Sequence, residues 1–354
     1  MAHPWRGVIA EYRDWLPLAE ETPNVSLGEG GTPLIRSSWL SGLVDGEVYV
    51  KVEGDNPTGS FKDRGMTVAI SAAKGEGAQA VVCASTGNTS ASMTAYAARA
   101  GLTPIVLVPH GKISAGKMAQ AVMHGGEIIQ VRGGFDECLN ISRGLAKDYP
   151  VALVNSVNPM RLEGQKTAAF EIVDVLGRAP DVHVLPVGNA GNISAYWMGY
   201  RQYADAGIAS GRPAMWGFQA AGAAPIVRGE IVREPETLAT AIRIGNPASW
   251  QLAENARDES RGRIDAVTDD QILDAQRRLG AEEGIFVEPG SAASIAGLLA
   301  AVEAGEVASG QVIAVTVTGH GLKDIDTPLS RIDSIVDDVI EPTVEAAAEV
   351  AGLR

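Results

Sequence analysis

Short runs of β-branched and aliphatic residues recur along this chain, and between most of them lie alanine-rich stretches of helical character. Val48-Tyr49-Val50-Lys51-Val52 alternates with the period of a strand, and further apolar runs follow at 80–83, 105–108, 128–131, 151–154, 182–185 and 312–317. Short β-branched runs of this kind read as strands. Helical segments of about ten to twenty residues between them are what right-handed βαβ crossovers require. The pattern predicts an α/β protein with mostly parallel sheets. Ligands of such sheets gather beyond the carboxyl ends of the strands, so the residues directly after each run are the candidates for chemistry.

At 354 residues the chain has length for about two domains and a sizeable core. Although 45% of it is hydrophobic, no apolar stretch approaches the roughly eighteen residues that span a bilayer. A formal charge of −14 argues against nucleic acid or an anionic membrane as partner, so an anionic ligand must meet a local cationic site. The N-terminus lacks the apolar segment of a secretory signal, which makes the cytoplasm the expected location. Cys83 and Cys138 are too few for a disulfide framework and are expected as small buried hydrophobes in a reducing compartment. His124, His183 and His320 show no ligand spacing, so no metal is expected. No repeat or low-complexity tract is present.

Three segments carry candidate chemistry. In Asn56-Pro57-Thr58-Gly59-Ser60-Phe61-Lys62-Asp63-Arg64-Gly65 a turn gives way to a stretch of helix formers, setting Lys62 near a helix N-terminus. The positive end of the helix dipole there favours a neutral amine, which can attack a carbonyl. After the run at 182–187 comes Gly188-Asn189-Ala190-Gly191-Asn192 and then a helical stretch, a glycine-rich turn that offers N–H groups to a phosphate. Its glycines do not spell the dinucleotide fingerprint. After 80–83 comes Ala84-Ser85-Thr86-Gly87-Asn88-Thr89-Ser90, where hydroxyls and an amide either cap the next helix or cradle a carboxylate. A fourth segment, residues 111–118, nearly matches the nucleotide P-loop, but Met118 stands where a hydroxyl would hold magnesium. Lys117 in it remains a candidate local charge. A nucleophilic lysine, a phosphate-binding turn and a hydroxyl-rich cradle together point to pyridoxal phosphate.

With these motifs in order, the chain resembles the bacterial threonine synthases, pyridoxal-phosphate enzymes of fold type II. The resemblance rests on Glu29-Gly30-Gly31-Thr32-Pro33-Leu34, the Lys62 segment, residues 84–90 and 188–192, Val154-Asn155-Ser156-Val157-Asn158-Pro159, residues 161–167 and residues 318–324. It spans about residues 15–328. It implies two domains, a smaller inserted one at 53–152 and a larger one made of 1–52 and 153–354, usually in a homodimer. It further implies that Lys62 joins the cofactor covalently and later moves protons, and that Gly188, Asn189, Ala190, Gly191 and Asn192 hold the cofactor phosphate. Asn88 would bond the cofactor's phenolic oxygen, and Thr318 would face its ring nitrogen. Ser85, Thr86 and Thr89 would receive the substrate carboxylate, and Asn155, Ser156 and Arg161 the substrate phosphate. The implied reaction converts O-phospho-L-homoserine and water to L-threonine and phosphate. The nearest rival is a threonine or serine dehydratase of the same fold type, which needs no second phosphate site. A non-catalytic phosphoanion binder would need the 188–192 turn but no substrate cradle.

Overall fold

The computed structural model describes residues 3–111, 115–330 and 339–353, with the side chains of 115–117 also outside the description. Among these residues ten strands form two sheets. They are β1 Leu34–Ser37, β2 Glu47–Val52, β3 Ala80–Ala84, β4 Thr103–Pro109, β5 Glu127–Val131, β6 Val151–Leu153, β7 Val182–Pro186, β8 Ala214–Ala220, β9 Arg263–Val267 and β10 Val312–Val317. One sheet has the order β1-β2-β10-β7-β8-β9 and is parallel except for the β1–β2 pair. The other, β5-β4-β3-β6, is wholly parallel. The fold is therefore α/β, and every run read as a strand is one, with ends displaced by no more than two residues.

Continuous apolar strands follow from covering both faces of each sheet. Along β7 and β10, Val184 and Val315 join one core with Phe218, Ile295 and Leu298, while their neighbours Leu185 and Ala314 join another with Phe170, Tyr196 and Tyr200. The smaller sheet repeats the arrangement, with Val81 and Cys83 facing one core and Val82 and Ala84 the other. Both cysteines are buried and unpaired, as expected. His183 is fully buried beside Tyr196 and Tyr200, its ring nitrogens 2.7 Å from the Tyr200 hydroxyl and 2.8 Å from that of Thr316.

The helix Lys62–Gly75, which follows β2, crosses the helix Pro159–Leu176, which follows β6. Two glycines set the distance. A Cβ on Gly164 would lie 1.9 Å from the Arg64 carbonyl oxygen, and one on Gly65 would lie 2.6 Å from that of Arg161. Beside the crossing, buried Arg64 donates to Glu53 at 2.7 and 2.8 Å and to both carboxylate oxygens of Glu171. Lys51 adds a 2.6 Å bond to Glu171 and one of 2.7 Å to the Thr32 carbonyl oxygen. Burial alone would raise the Glu171 pKa, but Arg64 and Lys51 outweigh it and bring it down to about 2. The cluster joins both helices to the Thr32 segment and to β2, with its charges paired and hydrogen-bonded as burial demands.

Candidate active site

A cleft of about 520 Å³ opens at the carboxyl ends of β3, β6, β7 and β10, and every site residue nominated from the sequence lines it. Lys62, Asn88, Thr318 and the five residues 188–192 share its wall with Ser85, Thr86, Thr89, Asn155, Ser156 and Arg161. Of the P-loop-like segment, residues 112–114 and the Lys117 side chain lie outside the described residues. Among the described residues the cleft wall carries four basic side chains, Lys62, Arg161, Arg243 and Lys323, against the two acids Glu288 and Asp324. A chain of net charge −14 thus presents a locally positive site.

Lys62 is the first residue of its helix. The bend before it is held by Asp63, whose carboxylate accepts from the Thr58 N–H at 2.7 Å, the Thr58 hydroxyl at 2.6 Å and the Ser92 hydroxyl. Gly59 makes the bend with φ +81°, a region other residues rarely adopt. The Phe61 N–H donates to the Thr318 carbonyl oxygen at 2.9 Å, joining the bend to the end of β10. Burial, followed by the charge of Arg161, lowers the Lys62 pKa to about 7, with Glu288 opposing. These causes add to the helix terminus on which the sequence argument relied, and together they favour the nucleophilic neutral amine.

The 188–192 turn connects β7 to the helix Gly191–Asp205, whose first turn no side chain caps. Ala190 has φ +64°, a strained value for a residue with a Cβ, and Gly188 packs so closely that a Cβ would lie 3.0 Å from Ile242 Cα. Asn189 is fixed by the Ala248 N–H at 2.6 Å and donates to the Ser156 hydroxyl. Both polar atoms of the Asn192 side chain are buried with no partner among the described residues. An uncapped helix N-terminus beside an unsatisfied amide has the chemistry of an anion site.

Nor does any side chain cap the helix Asn88–Ala100, so the hydroxyls at 85–89 are not consumed in the capping role that was one reading of them. Ser85 accepts from the Gly87 N–H at 3.2 Å, and Asn155 accepts from the Ala84 N–H at 3.0 Å, tying β3 to the segment after β6. Arg161 is 1% exposed. One guanidinium nitrogen donates to the Val154 carbonyl oxygen at 3.0 Å, Nε has no partner, and no carboxylate among the described residues pairs with it. A buried guanidinium with an unused donor beside a cleft fits a phosphate.

Three contributors escaped the sequence reading. Glu288 is 5% exposed, its pKa is raised by burial, and it accepts from Asn88. Ser291 contacts the Thr318 hydroxyl at 2.8 Å and accepts from the N–H groups of Thr318 and Gly319 at 2.9 and 2.7 Å. Lys323 donates to the Thr58 carbonyl oxygen at 2.7 Å and to Gln120. The Glu288-Pro289 pair is a legible helix start, since Pro suits the first helical position, but nothing local shows that it faces a cleft.

Residues 25–319 match the model of the family described as pyridoxal-phosphate dependent enzyme. The threonine synthase of Mycobacterium tuberculosis is 59% identical over 99% of this chain and 97% of its own length. That of Halalkalibacterium halodurans is 55% identical over 97% and 96%. Among solved structures, maize serine racemase superposes with a TM-score of 0.69 at 22% identity, covering 82% of this chain and 88% of that one, a likeness of fold.

Proposed function

Because this chain belongs to the pyridoxal-phosphate dependent enzymes, and within them to the threonine synthases, we propose that its cleft converts O-phospho-L-homoserine and water to L-threonine and phosphate. The chain is a pyridoxal-phosphate-dependent lyase. The substrate and the roles of its residues are our reading. When bound, the cofactor supplies an electron sink next to the substrate amine. The donor set suits it, since the uncapped 188–192 turn with unpartnered Asn192 matches a phosphate and the low-pKa Lys62 matches an aldehyde.

In this reading Lys62 would hold the cofactor covalently and, once free, would take the proton from substrate Cα and return protons in later steps. Gly188, Asn189, Ala190, Gly191 and Asn192 would hold the cofactor phosphate. Asn88 would donate to its ring oxygen, and Thr318 would offer its ring nitrogen a neutral hydroxyl. Ser85, Thr86 and Thr89 orient the substrate carboxylate, while Asn155, Ser156 and Arg161 take its phosphate. Arg161 carries this assignment, because a buried guanidinium with no carboxylate partner among the described residues is explained by an anionic ligand, and a dehydratase needs no second phosphate site. Residues 53–152 form the smaller domain and 1–52 with 153–354 the larger, a division supported by β3, β4 and β5 sharing one sheet, whose remaining strand β6 lies at the boundary. We also read the protein as a cytoplasmic homodimer. Among the described residues no helix is long and apolar enough to cross a membrane.

The test is incubation of the holoenzyme with O-phospho-L-homoserine, measuring inorganic phosphate and threonine together. Equal release of both is expected. Deamination of threonine without turnover of the phosphorylated substrate would refute the reading in favour of the dehydratase.

A further inference from the structure

We propose that Glu288 is a positioning residue that fixes the Asn88 amide for the cofactor, an inference that rests on the reading of Asn88 given above. Glu288 immediately precedes the helix Pro289–Glu303 but does not cap it with its side chain. Its backbone is fixed instead by the Glu288 N–H donating to the Gly319 carbonyl oxygen at 3.0 Å and by a bridge between Val287 and His320. The side chain turns to the cleft, where both of its oxygens lie 3.1 Å from Asn88 Nδ2. Space for it depends on Gly319, since a Cβ there would sit 2.4 Å from a Glu288 carboxylate oxygen.

Burial raises the Glu288 pKa, but the Asn88 bond and the charges of Lys323 and Lys62 oppose it and favour the ionised carboxylate, which only accepts hydrogen bonds. Asn88 must therefore turn its nitrogen toward Glu288, which settles an amide orientation that an asparagine alone leaves open. One N–H shared between the two oxygens leaves the second N–H of the same nitrogen for a ligand. Glu288 thus stands behind Asn88 as the orienting third group of a relay, touching neither substrate nor cofactor in this role.

The experiment titrates pyridoxal phosphate into the resolved apoenzyme by visible absorption, comparing the parent with Asn88→Ala, Glu288→Ala, Glu288→Gln and the Asn88→Ala/Glu288→Ala double variant. Losing a hydrogen bond to a charged group predicts a roughly tenfold to hundredfold weaker dissociation constant for Asn88→Ala and Glu288→Ala. The double variant should bind within about twofold of Asn88→Ala, because two residues acting through one contact are not additive. Glu288→Gln keeps one oxygen acceptor without the charge and should stay within about tenfold of the parent, with the absorption band nearer to it than that of Glu288→Ala. Independent losses that multiply in the double variant would overturn the proposal, as would parent-like affinity in Glu288→Ala. Parent-like affinity in Asn88→Ala would instead overturn the cofactor reading of Asn88, and this inference with it.

Discussion

Replacing Arg161 by methionine should make the protein more stable and less active at once. The guanidinium is buried, keeps a single bond to Val154, and has its pKa lowered by burial from 12.5 to about 10. For a base, a lower pKa in the folded state means that the unfolded chain holds the proton more tightly. The cost is therefore fully present at neutral pH and fades only as pH rises from about 10 toward 12.5. That shift corresponds to about 3 kcal/mol, as each pKa unit is about 1.4 kcal/mol. Methionine removes that cost while forfeiting the Val154 bond, about 1 kcal/mol, so the unliganded protein should gain about 1–2 kcal/mol. The same change removes the charge-assisted contact to the substrate phosphate, lowering kcat/KM for O-phospho-L-homoserine by roughly tenfold to over a hundredfold. Urea unfolding with and without inorganic phosphate measures the first effect, and phosphate should stabilise the parent more than the variant. Steady-state kinetics measure the second. Any side reaction on threonine should change far less. A lower unfolding midpoint, with equal losses on both substrates, would refute the argument and make Arg161 structural.

Borohydride should attach the cofactor irreversibly to Lys62, and covalent uptake by the apoenzyme should accelerate as pH rises through about 7, where the amine loses its proton; a midpoint near 10 would contradict the low-pKa assignment. Arg161→Met should raise that midpoint, since the Arg161 charge is the second cause of the depression. Glu171→Gln leaves Arg64 and Lys51 under-compensated and should cost roughly 3–5 kcal/mol at pH 7 in urea titrations. Because folding lowers this carboxyl's pKa to about 2, its contribution is present above the usual 4.5 and lost as pH falls toward 2, so the variant and parent should converge in acid. Gly164→Ala drives a methyl into the Arg64 carbonyl and should lower the stability by about 1–3 kcal/mol or more; an unchanged unfolding midpoint would show that the two helices can separate freely.

What the sequence disclosed depended on whether the signal was local. Strands β7 and β10 were legible because central strands covered on both faces are almost continuously apolar, with only His183 and Thr316 interrupting them. Strands β1, β8 and β9 were not read. At the sheet edges, β1 is four residues with an exposed arginine and β9 alternates with Arg263 and Asp265. In β8 the position of Gly217 weakens the strand pattern, yet a Cβ there would meet Val187 at 2.7 Å, so tertiary packing demands what local propensity discourages. The site followed the same division. Lys62 and the 188–192 turn announce themselves by glycine and helix-start chemistry, whereas Glu288 reaches the cleft, and Ser291 reaches Thr318 behind it, only because their helix start packs beside the end of β10. The low pKa of Lys62 was inferred from its helix terminus alone, because Arg161 is ninety-nine positions away in sequence and meets it only through the crossing of their helices.

That crossing also explains why two buried arginines have opposite fates. Arg64 and Arg161 are each 1% exposed and lie on helices brought together by Gly65 and Gly164. Arg64 is saturated by Glu53 and Glu171, and its pKa stands well above the ordinary value despite burial. Among the described residues no acid pairs with Arg161, so its charge is felt by Lys62 instead. Coulomb coupling in a poorly solvated site is strong and reciprocal. An anion that neutralises Arg161 therefore acts on Lys62 as Arg161→Met does, making its amine more basic. In the proposed reaction that anion is the substrate's own phosphate. Its arrival would strengthen Lys62 as the acceptor of the Cα proton only once the correct substrate is in place, and the saturated Arg64 cluster behind it keeps the two helices at the spacing on which that coupling depends.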